Sequence, residues 1–338
     1  MLLNRNNYLM NGLNNSRLTN WRSLLIAFML ALISGGCDWP IERPLKVASH
    51  EWPGYEPLHL ARELGYFDEE KIHVYEVPSA TASIRAFRNG YIDVVALTLD
   101  EALLLLEDKV PIKVLLVMDV SNGADAIVAR PPIQSLKDIK DKAVGVESMA
   151  LGAYMLTRAL IKGGLQPESV KPIYIPFNKH EEAYKQHLVD ILVTFEPVKS
   201  KIVQLGGRIL IDSKELPNEI FDVLVIRETA LNSHLQEVKS LLNGWFKAVD
   251  YLASNKEDAA FTVARRINST PEQFINSLND IILPSFEDNQ RFLAGNDPEL
   301  IHIAQQLSSV MLSNNLLSTE LDIHSLIYSD INKVLINE

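Results

Sequence analysis

The chain of 338 residues has 32 Lys and Arg against 43 Asp and Glu, a formal net charge of −11 at neutral pH. This acidic balance argues against nucleic acid as a partner, since nucleic-acid binding needs a basic footprint. Hydrophobic residues make up 47% of the chain, which suffices for a sizeable core and is typical of two domains.

The N-terminal segment differs in composition from the rest of the chain. Residues 1–36 hold three arginines and no acid or lysine, and an apolar run over 23–33 precedes Ser34-Gly35-Gly36-Cys37. A basic start, a short apolar run and small residues predict a secretory signal. Its end on the lone Cys37 resembles the bacterial lipoprotein signal, whose cysteine becomes the lipidated first residue of the mature chain. We therefore expect residues 1–36 to be removed and 37–44 to act as a tether.

A lipid at Cys37 would place the protein on the periplasmic face of the inner membrane, or on the cell surface of a Gram-positive host. The alternative is an uncleaved anchor in which the cysteine is incidental. No apolar run after the N-terminal segment reaches the roughly 18 residues that span a bilayer.

The first predicted strand and helix enclose an aromatic turn. An apolar run over 45–49 reads as a strand and residues 57–64 as a helix, with Trp52 and Tyr55 between them. In an open α/β sheet such a turn lies at the carboxyl edge of the strands, where ligands bind. An aromatic side chain there supplies a flat apolar wall at low entropic cost, so we predict that Trp52 and Tyr55 contact a ligand. The alternative is that they pack the rim of the core.

Small polar and acidic residues follow the next predicted strands. These strands are 72–77, 92–97 and 110–118, and the helices between them are 84–89 and 102–106. Because the carboxyl ends of parallel strands meet at one edge, the polar residues are candidate ligand contacts: Ser79, Thr81, Thr98, Asp100, Ser121, Asn122 and Asp125.

The segment from 110 to 129 predicts a crossover. A fifth strand, 126–129, follows the fourth with room for a polar turn but not for a helix. A second α/β series then restarts, with strands at 143–147, 170–175, 189–194 and 208–211 and helices at 133–141, 151–162, 180–187 and 198–205. Its candidate ligand contacts are Glu147, Leu151, Phe177 and Glu196.

The strand 221–226 predicts the return crossover, and the chain after residue 228 is expected to be all helical. The predicted helices are 235–253, 256–267, 271–282 and 297–313, with a last amphipathic stretch near 320–336. The predicted class is α/β: lobe one from 45–126 and 224–338, and lobe two from 127–223. Alternating units imply mainly parallel sheets, and two crossovers leave a hinged cleft between the lobes.

An ordered set of motifs resembles one family. The set comprises Trp52-x-Gly54-Tyr55-x-Pro57, Leu60-Ala61-x-x-Leu64-Gly65-x-Phe67, Ser83-x-x-x-Phe87-x-x-Gly90-x-x-Asp93, Leu136-Lys137-Asp138-Ile139-x-x-Lys142-x-Val144-Gly145-Val146-Glu147 and Val189-Asp190-x-x-Val193-Thr194-x-Glu196-Pro197. Together they look like the NitT/TauT-type solute-binding proteins of ABC importers, which bind nitrate, sulfonates, taurine or thiamine-pyrimidine precursors. The resemblance implies a type II periplasmic-binding-protein fold, delivery of a ligand to an ABC permease, and a monomer as the default state.

The predicted rim is acidic. Asp100, Asp119, Asp125, Glu147 and Glu196 all lie in turns that follow strands, and few basic residues accompany them. A sulfonate or nitrate site would require arginine, lysine or exposed helix N-termini. A carboxylate-rich aromatic cleft instead favours a small cationic amine or an N–H-rich, pyrimidine-like heterocycle. The alternatives are that these acids cap helices, that Asp125 is a hinge residue, and that Glu196 supports the next helix.

Two further classes remain open. None of the eight histidines forms a metal-ligand motif, and no phosphate loop or Gly-x-Ser-x-Gly occurs, so we expect a binding protein with no metal and no cofactor. His180 and His187 share one helix face and are expected at its surface. The enzymatic alternative is a relative of the fungal pyrimidine-precursor synthases, with His50 in the site. The other alternative is a sensory lipoprotein that signals to a membrane partner.

Overall fold

The computed structural model describes residues 43–148, 150–267, 269–328 and 330–335. The predicted signal segment and Cys37 lie outside this range. Eleven strands occur in the described part of the chain: β1 Leu45–His50, β2 Ile72–Val77, β3 Val94–Thr98, β4 Ile112–Ser121, β5 Asp125–Ala129, β6 Ala143–Val146, β7 Lys171–Tyr174, β8 Ile191–Phe195, β9 Arg208–Asp212, β10 Phe221–Arg227 and β11 Ile281–Ile282.

The strands form two sheets. The six-stranded sheet has the order β11-β4-β10-β3-β1-β2, and the five-stranded sheet has the order β7-β6-β8-β5-β9. The chain passes from the first to the second between β4 and β5, and returns between β9 and β10. Both predicted crossovers are therefore confirmed, while the predicted lobe boundaries stay a prediction.

The sheets are mixed, although mainly parallel sheets were expected. β1 pairs in parallel with β2 and β3, but β10 is antiparallel to both β3 and β4, and β5 is antiparallel to β8 and β9. The reason is topological: β5 and β10 each enter a sheet directly from the other one, so they run against its βα units. This return path places β10 in the centre of the six-stranded sheet.

Helices cover the faces of the sheets: α1 Glu56–Glu63, α2 Ala80–Arg88, α3 Leu99–Glu107, α4 Ala150–Gly163, α5 His180–Lys185, α6 Val198–Gln204, α7 Glu228–Ser233, α8 Leu235–Ser254, α9 Lys256–Arg266, α10 Pro271–Leu278, α11 Phe286–Leu293 and α12 Glu299–Ser313. Alternate residues of β5 enter two different cores: Ala126 and Val128 pack in the large core that reaches both sheets, and Ile127 and Ala129 pack in a smaller one. This alternation follows from the period of two in a strand. The described residues include no helix with the length and apolar character that a membrane crossing requires.

Several predicted helices differ from the observed elements. The segment 133–141 contains a single 3₁₀ turn at Leu136–Ile139, and the stretch 320–336 contains two, Ile323–Leu326 and Ile331–Lys333. The predicted helix 271–282 ends at Leu278, because residues 281–282 pair with β4 as β11. The chain after residue 228 is therefore not all helical.

Candidate functional site

A cavity of about 30 Å³ lies where the two sheets face each other. Because a buried water molecule needs about 15 Å³ of such volume, the cavity has room for about two water molecules. Six of the predicted site residues line it: Trp52, Tyr55, Thr98, Asp125, Glu147 and Leu151. Ten lining residues were not among the predicted ligand contacts, although His50 was named for the enzymatic alternative: His50, Ala80, Glu101, Gly152, Met155, His180, Val193, Thr194, Phe195 and Asp222.

Aromatic rings from both sheets meet in the cavity. Trp52 in the turn after β1 and His50 at the end of β1 contact Phe195 at the end of β8, with ring centroids 5.5 and 5.9 Å apart respectively. Tyr55 packs edge-on against His50 at 5.3 Å. Such edge-to-face pairs stabilise beyond the area they bury. The aromatic wall is therefore assembled from both halves of the molecule.

Trp52 is fixed by a hydrogen bond to β4. Its indole Nε1–H donates to Asp119 Oδ2 over 2.9 Å. Gly54 permits this contact, because a Cβ at that position would lie 2.0 Å from Asp119 Oδ2 and 2.5 Å from Trp52 Nε1. The Trp52-x-Gly54-Tyr55 motif thus has a steric reason: the residue beside the contact between the indole and the carboxylate must have no side chain.

Two carboxyl groups face each other across neighbouring strands. Asp119 of β4 and Asp222 of β10 are cross-strand partners, both buried, and the Tyr55 hydroxyl donates to Asp222. Burial raises the pKa of Asp119 to about 7. Burial first and the Asp119 charge second raise the pKa of Asp222 well above its usual range. Two negative charges that are close together and shielded from water disfavour ionisation of both carboxyl groups. The pair therefore retains a proton near neutral pH.

Further buried acids surround this pair. Burial raises the pKa of Asp125 to about 7 and that of Asp100 to about 6. Among the described residues, Asp100 Oδ2, Asp119 Oδ1 and Asp125 Oδ2 have no hydrogen-bond partner. Of these three residues only Asp125 lines the cavity, where an N–H group of a ligand would supply the missing donor. Asp100 itself lies in the first turn of α3 and does not line the cavity.

The predicted residues Ser79 and Thr81 lie at the start of α2, beside the cavity. The Ser79 hydroxyl caps α2 by accepting a hydrogen bond from the Ala82 N–H over 3.3 Å. Thr81 donates to Glu147, a lining residue, through its N–H and its hydroxyl. Both residues line a shallow groove that is separate from the cavity.

The predicted residues Ser121 and Asn122 lie at the crossover. Ser121 Oγ bonds to Ser213 Oγ over 2.8 Å and accepts from the Asp125 N–H. Asn122 is exposed, and its backbone N–H donates to the Asp280 carbonyl. The structure therefore places both at the connection between the sheets and not on the cavity.

The predicted residues Phe177 and Glu196 do not line the cavity but lie next to residues at the end of β8. Phe177 stacks on Phe195 with ring centroids 3.9 Å apart. Glu196 accepts from Ser200 Oγ in the first turn of α6 and forms an ion pair with Lys199 over 2.9 Å. This geometry agrees with the alternative in which Glu196 supports the helix that follows it.

Three of the lining residues could not be predicted from the sequence, each for a different reason. Asp222 lies inside an apolar run that predicted only a crossover strand, and its register with Asp119 was invisible in the sequence. His180 was expected at a helix surface but is 1% exposed, because its Nε2 contacts the Ile175 carbonyl and its Nδ1 contacts Thr194. Phe195 directly precedes the predicted Glu196, so the strand end was located but the side chain that faces the cavity was not.

The cavity is acidic and aromatic. Within the described part of the chain its lining includes four acids and no lysine or arginine. Lys199 and Arg266, two buried or half-buried cations nearby, are paired with Glu196 and Glu56 respectively. Within the same residues, no three His, Cys, Asp or Glu side chains are arranged to hold a metal ion. The arrangement is suited to bind N–H donors and positive charge against aromatic faces.

Solved structures of solute-binding proteins share this fold. The alkanesulfonate-binding protein SsuA of Xanthomonas axonopodis pv. citri, bound to MOPS, is similar with a TM-score of 0.72 and 16% identity over 85% of this chain and 98% of that chain. The periplasmic nitrate-binding protein NrtA of Synechocystis PCC 6803 has a TM-score of 0.69 and 14% identity over 87% and 88%. The desulfurization enzyme DszB has a TM-score of 0.61 and 14% identity over 85% and 98%. These likenesses confirm the predicted type II periplasmic-binding-protein fold.

A search of curated proteins found no significant match. The sequence matches the NMT1-like family over residues 40–268, a span that includes both crossovers and every residue that lines the cavity. Together with the structural likenesses, this match confirms the predicted NitT/TauT-type resemblance. The chain belongs to the NMT1-like family.

Proposed function

We propose that the protein is an extracytoplasmic solute-binding protein that captures a small cationic amine or an N–H-rich heteroaromatic compound between its two sheets. The observation that carries the proposal is the lining of the cavity, where Glu101, Asp125, Glu147 and Asp222 meet aromatic rings and where none of the described lining residues is a lysine or an arginine. Alkanesulfonate-binding SsuA and nitrate-binding NrtA share the fold and bind anions. The acidic lining of this cavity is suited to a positive ligand and not to an anion. We therefore infer that this protein shares the fold of SsuA and NrtA but binds a different class of ligand.

The size of the cavity supports a closing mechanism. About 30 Å³ is too little for a ligand of more than a few atoms. A ligand therefore enters only if the two sheets separate, and their rejoining would enclose it. The two crossovers, one beside Ser121 and Ser213, are the natural hinge for that motion.

A thermal-shift screen of the purified protein tests the ligand class. Amines, pyrimidines, amino acids, sulfonates and nitrate are compared at equal concentration, with Trp52→Ala as the matched control. A true ligand at 100 times its Kd stabilises the folded state by about 2.7 kcal/mol, and a tenfold weaker Trp52→Ala variant should lose about half of that stabilisation. Stabilisation by sulfonates or nitrate, with none by amines or pyrimidines, would overturn the proposal.

We also propose that the bound compound is handed to an ABC permease, and that the protein is a monomer held at the membrane by a lipid on Cys37. Mass spectrometry of the membrane-derived protein tests the anchor: the expected mature chain begins at a lipidated Cys37, and Cys37→Ala should release the protein from the membrane. Genes for a permease and an ATPase beside this one would support uptake, whereas a lone sensor gene would favour signalling.

We propose binding without catalysis, although the enzyme DszB shares the fold. The enzymatic alternative rests on His50, whose buried Nδ1 has no partner among the described residues and whose pKa burial lowers to about 4. Mass spectrometry of a ligand after prolonged incubation distinguishes the two, because a binding protein returns it unchanged.

A further inference from the structure

One contact joins the two sheets at the cavity wall. Thr81, in the first turn of α2, donates its backbone N–H to Glu147 Oε1 over 3.0 Å and its hydroxyl to the same oxygen over 2.7 Å. Thr81 follows β2 of the six-stranded sheet, and Glu147 follows β6 of the five-stranded sheet. The contact is therefore made between the two halves of the molecule and not within one of them.

Strand order places this contact away from the hinge. The crossovers connect β4 to β5 and β9 to β10, whereas β2 is the edge strand at the end of its sheet opposite β4 and β11. In the five-stranded sheet, β6 lies on the side of β7, and β5 and β9 lie on the other side. Contacts near the crossovers, such as Lys199 with Asp280, would persist through a hinge rotation. The Thr81–Glu147 contact lies far from both crossovers in the strand order, so a hinge rotation would separate its two partners.

Glu147 has a second role at the same position. It is buried and lines the cavity, and both bonds from Thr81 go to Oε1. Neither bond uses Oε2. A carboxylate held by a backbone N–H in the first turn of a helix and by a hydroxyl has a fixed orientation. Its remaining oxygen is then held in one orientation while the two sheets are closed.

We propose that Thr81 is a positioning residue for ligand binding: it fixes Glu147 in the cavity wall only when the two sheets are closed, so that closure completes the binding site. This inference rests on the proposed function, because it assigns Glu147 to a ligand. It also changes the predicted role of Thr81, which acts through Glu147 and does not contact the ligand itself.

Spin-label distances test the closure in the absence of any ligand. Labels at Asn89→Cys and Glu168→Cys, both exposed positions, report on the two halves in a Cys37→Ser background. Thr81→Ala removes the hydroxyl and should shift the distances to longer values, whereas Thr81→Ser keeps the hydroxyl and should restore the wild-type distribution. An unchanged distribution in Thr81→Ala would overturn the proposal.

Dissociation rates of 4-aminopyrimidine and benzylammonium complete the test. Thr81→Ala should release a bound probe about tenfold faster with little change in the association rate, the scale of one lost hydrogen bond to a charged group, and Thr81→Ser should release it at the wild-type rate. If amines and heteroaromatic compounds fail to bind the wild type while Thr81→Ala still opens the molecule, the proposed ligand class fails and the closure contact stands.

Discussion

At the scale of single residues, the site depends on close approaches that only particular side chains allow. Trp52 contacts Asp119, and Gly54 leaves the space for that contact. Sequence reasoning located the aromatic turn because two aromatics between a strand and a helix are visible in the chain. It could not locate Asp222, because the facing of two carboxyl groups depends on strand register, which is a property of the folded sheet.

Trp52→Ala should weaken binding of the ligand by about tenfold or more, the scale of one lost aromatic contact. Titration calorimetry measures the change, and circular dichroism verifies the fold. Phe261→Ala, which removes an aromatic that is 62% exposed on α9, is the matched control and should bind as the wild type does. Unchanged affinity in Trp52→Ala would mean that the indole only packs the rim.

Gly54→Ala should disrupt the Trp52–Asp119 hydrogen bond, because the new Cβ would lie 2.0 Å from Asp119 Oδ2. We expect lower affinity and lower stability. In a double-mutant cycle, Asp119→Ala in the Gly54→Ala background should cost much less than Asp119→Ala alone, since the contact is already lost. Additive effects of the two changes would contradict this explanation of the glycine.

The buried acids predict a pH dependence of stability. Asp119 and Asp125 have pKa values raised to about 7 by burial, so the folded state holds protons that the unfolded state has released. Their contribution is present at low pH and is lost as the pH rises through about 7. His50 and His180, whose pKa values burial lowers to about 4, act in the opposite direction but only below about pH 6.5.

Between about pH 6.5 and 8 the ligand-free protein should therefore lose stability, by at most about 1.4 kcal/mol per pH unit for each titrating group. Urea denaturation at several pH values measures the loss. Asp125→Asn should reduce the slope, whereas Asp250→Asn, at an exposed aspartate of α8, should leave it unchanged. Stability that rises over this interval would contradict the assignment of the protonated carboxyls.

At the scale of elements, hydrophobic periodicity predicts the strands well because most of them are buried apolar runs. Short helices near the C-terminus were harder to predict. α11 is an eight-residue helix between Pro284 and Gly295, with a capping box from Ser285 to Asp288, and its flanking residues resemble a loop. The stretch near 320–336 has amphipathic spacing but forms 3₁₀ turns that pack on the core.

Asn289 of α11 completes the hydrogen bonding of β4. Its side-chain amide accepts from the Val117 N–H over 2.7 Å and donates to the Val117 carbonyl over 3.1 Å, beyond the two residues at which β11 pairs with β4. Asn289→Ala should destabilise the fold by about 1–3 kcal/mol, because two buried backbone groups lose their partner. Urea denaturation measures this, with the exposed Asn296→Ala as control. A change below 0.5 kcal/mol in Asn289→Ala, on the order of a surface substitution, would refute the role.

At the scale of the whole molecule, two sheets joined by two crossovers enclose a cavity to which both contribute lining residues. Trp52 and Tyr55 come from one sheet, and Glu147 and Phe195 come from the other. The family resemblance of the sequence implied this architecture, because the motifs that carry it lie in both halves of the molecule. The acidic character of the cavity arises only when the fold brings together acids from separate elements.

Solution scattering should show a contraction of the protein when a ligand binds. The cavity of about 30 Å³ admits a ligand only after the sheets separate, so the ligand-free protein should sample states more open than the one described. A decrease in the radius of gyration on addition of a cationic ligand would agree with this. No change at saturating ligand would show that binding occurs without closure.

The central claim is that the acidic aromatic cavity binds positive or N–H-rich ligands. Titration calorimetry of the purified protein with benzylammonium, 4-aminopyrimidine, an alkanesulfonate and nitrate, each with the wild type and with Asp125→Asn, tests it most directly. We expect that an amine or a pyrimidine binds the wild type, that Asp125→Asn weakens this binding, and that neither anion binds. Tight binding of the sulfonate or of nitrate, without binding of the amine or the pyrimidine, would contradict it.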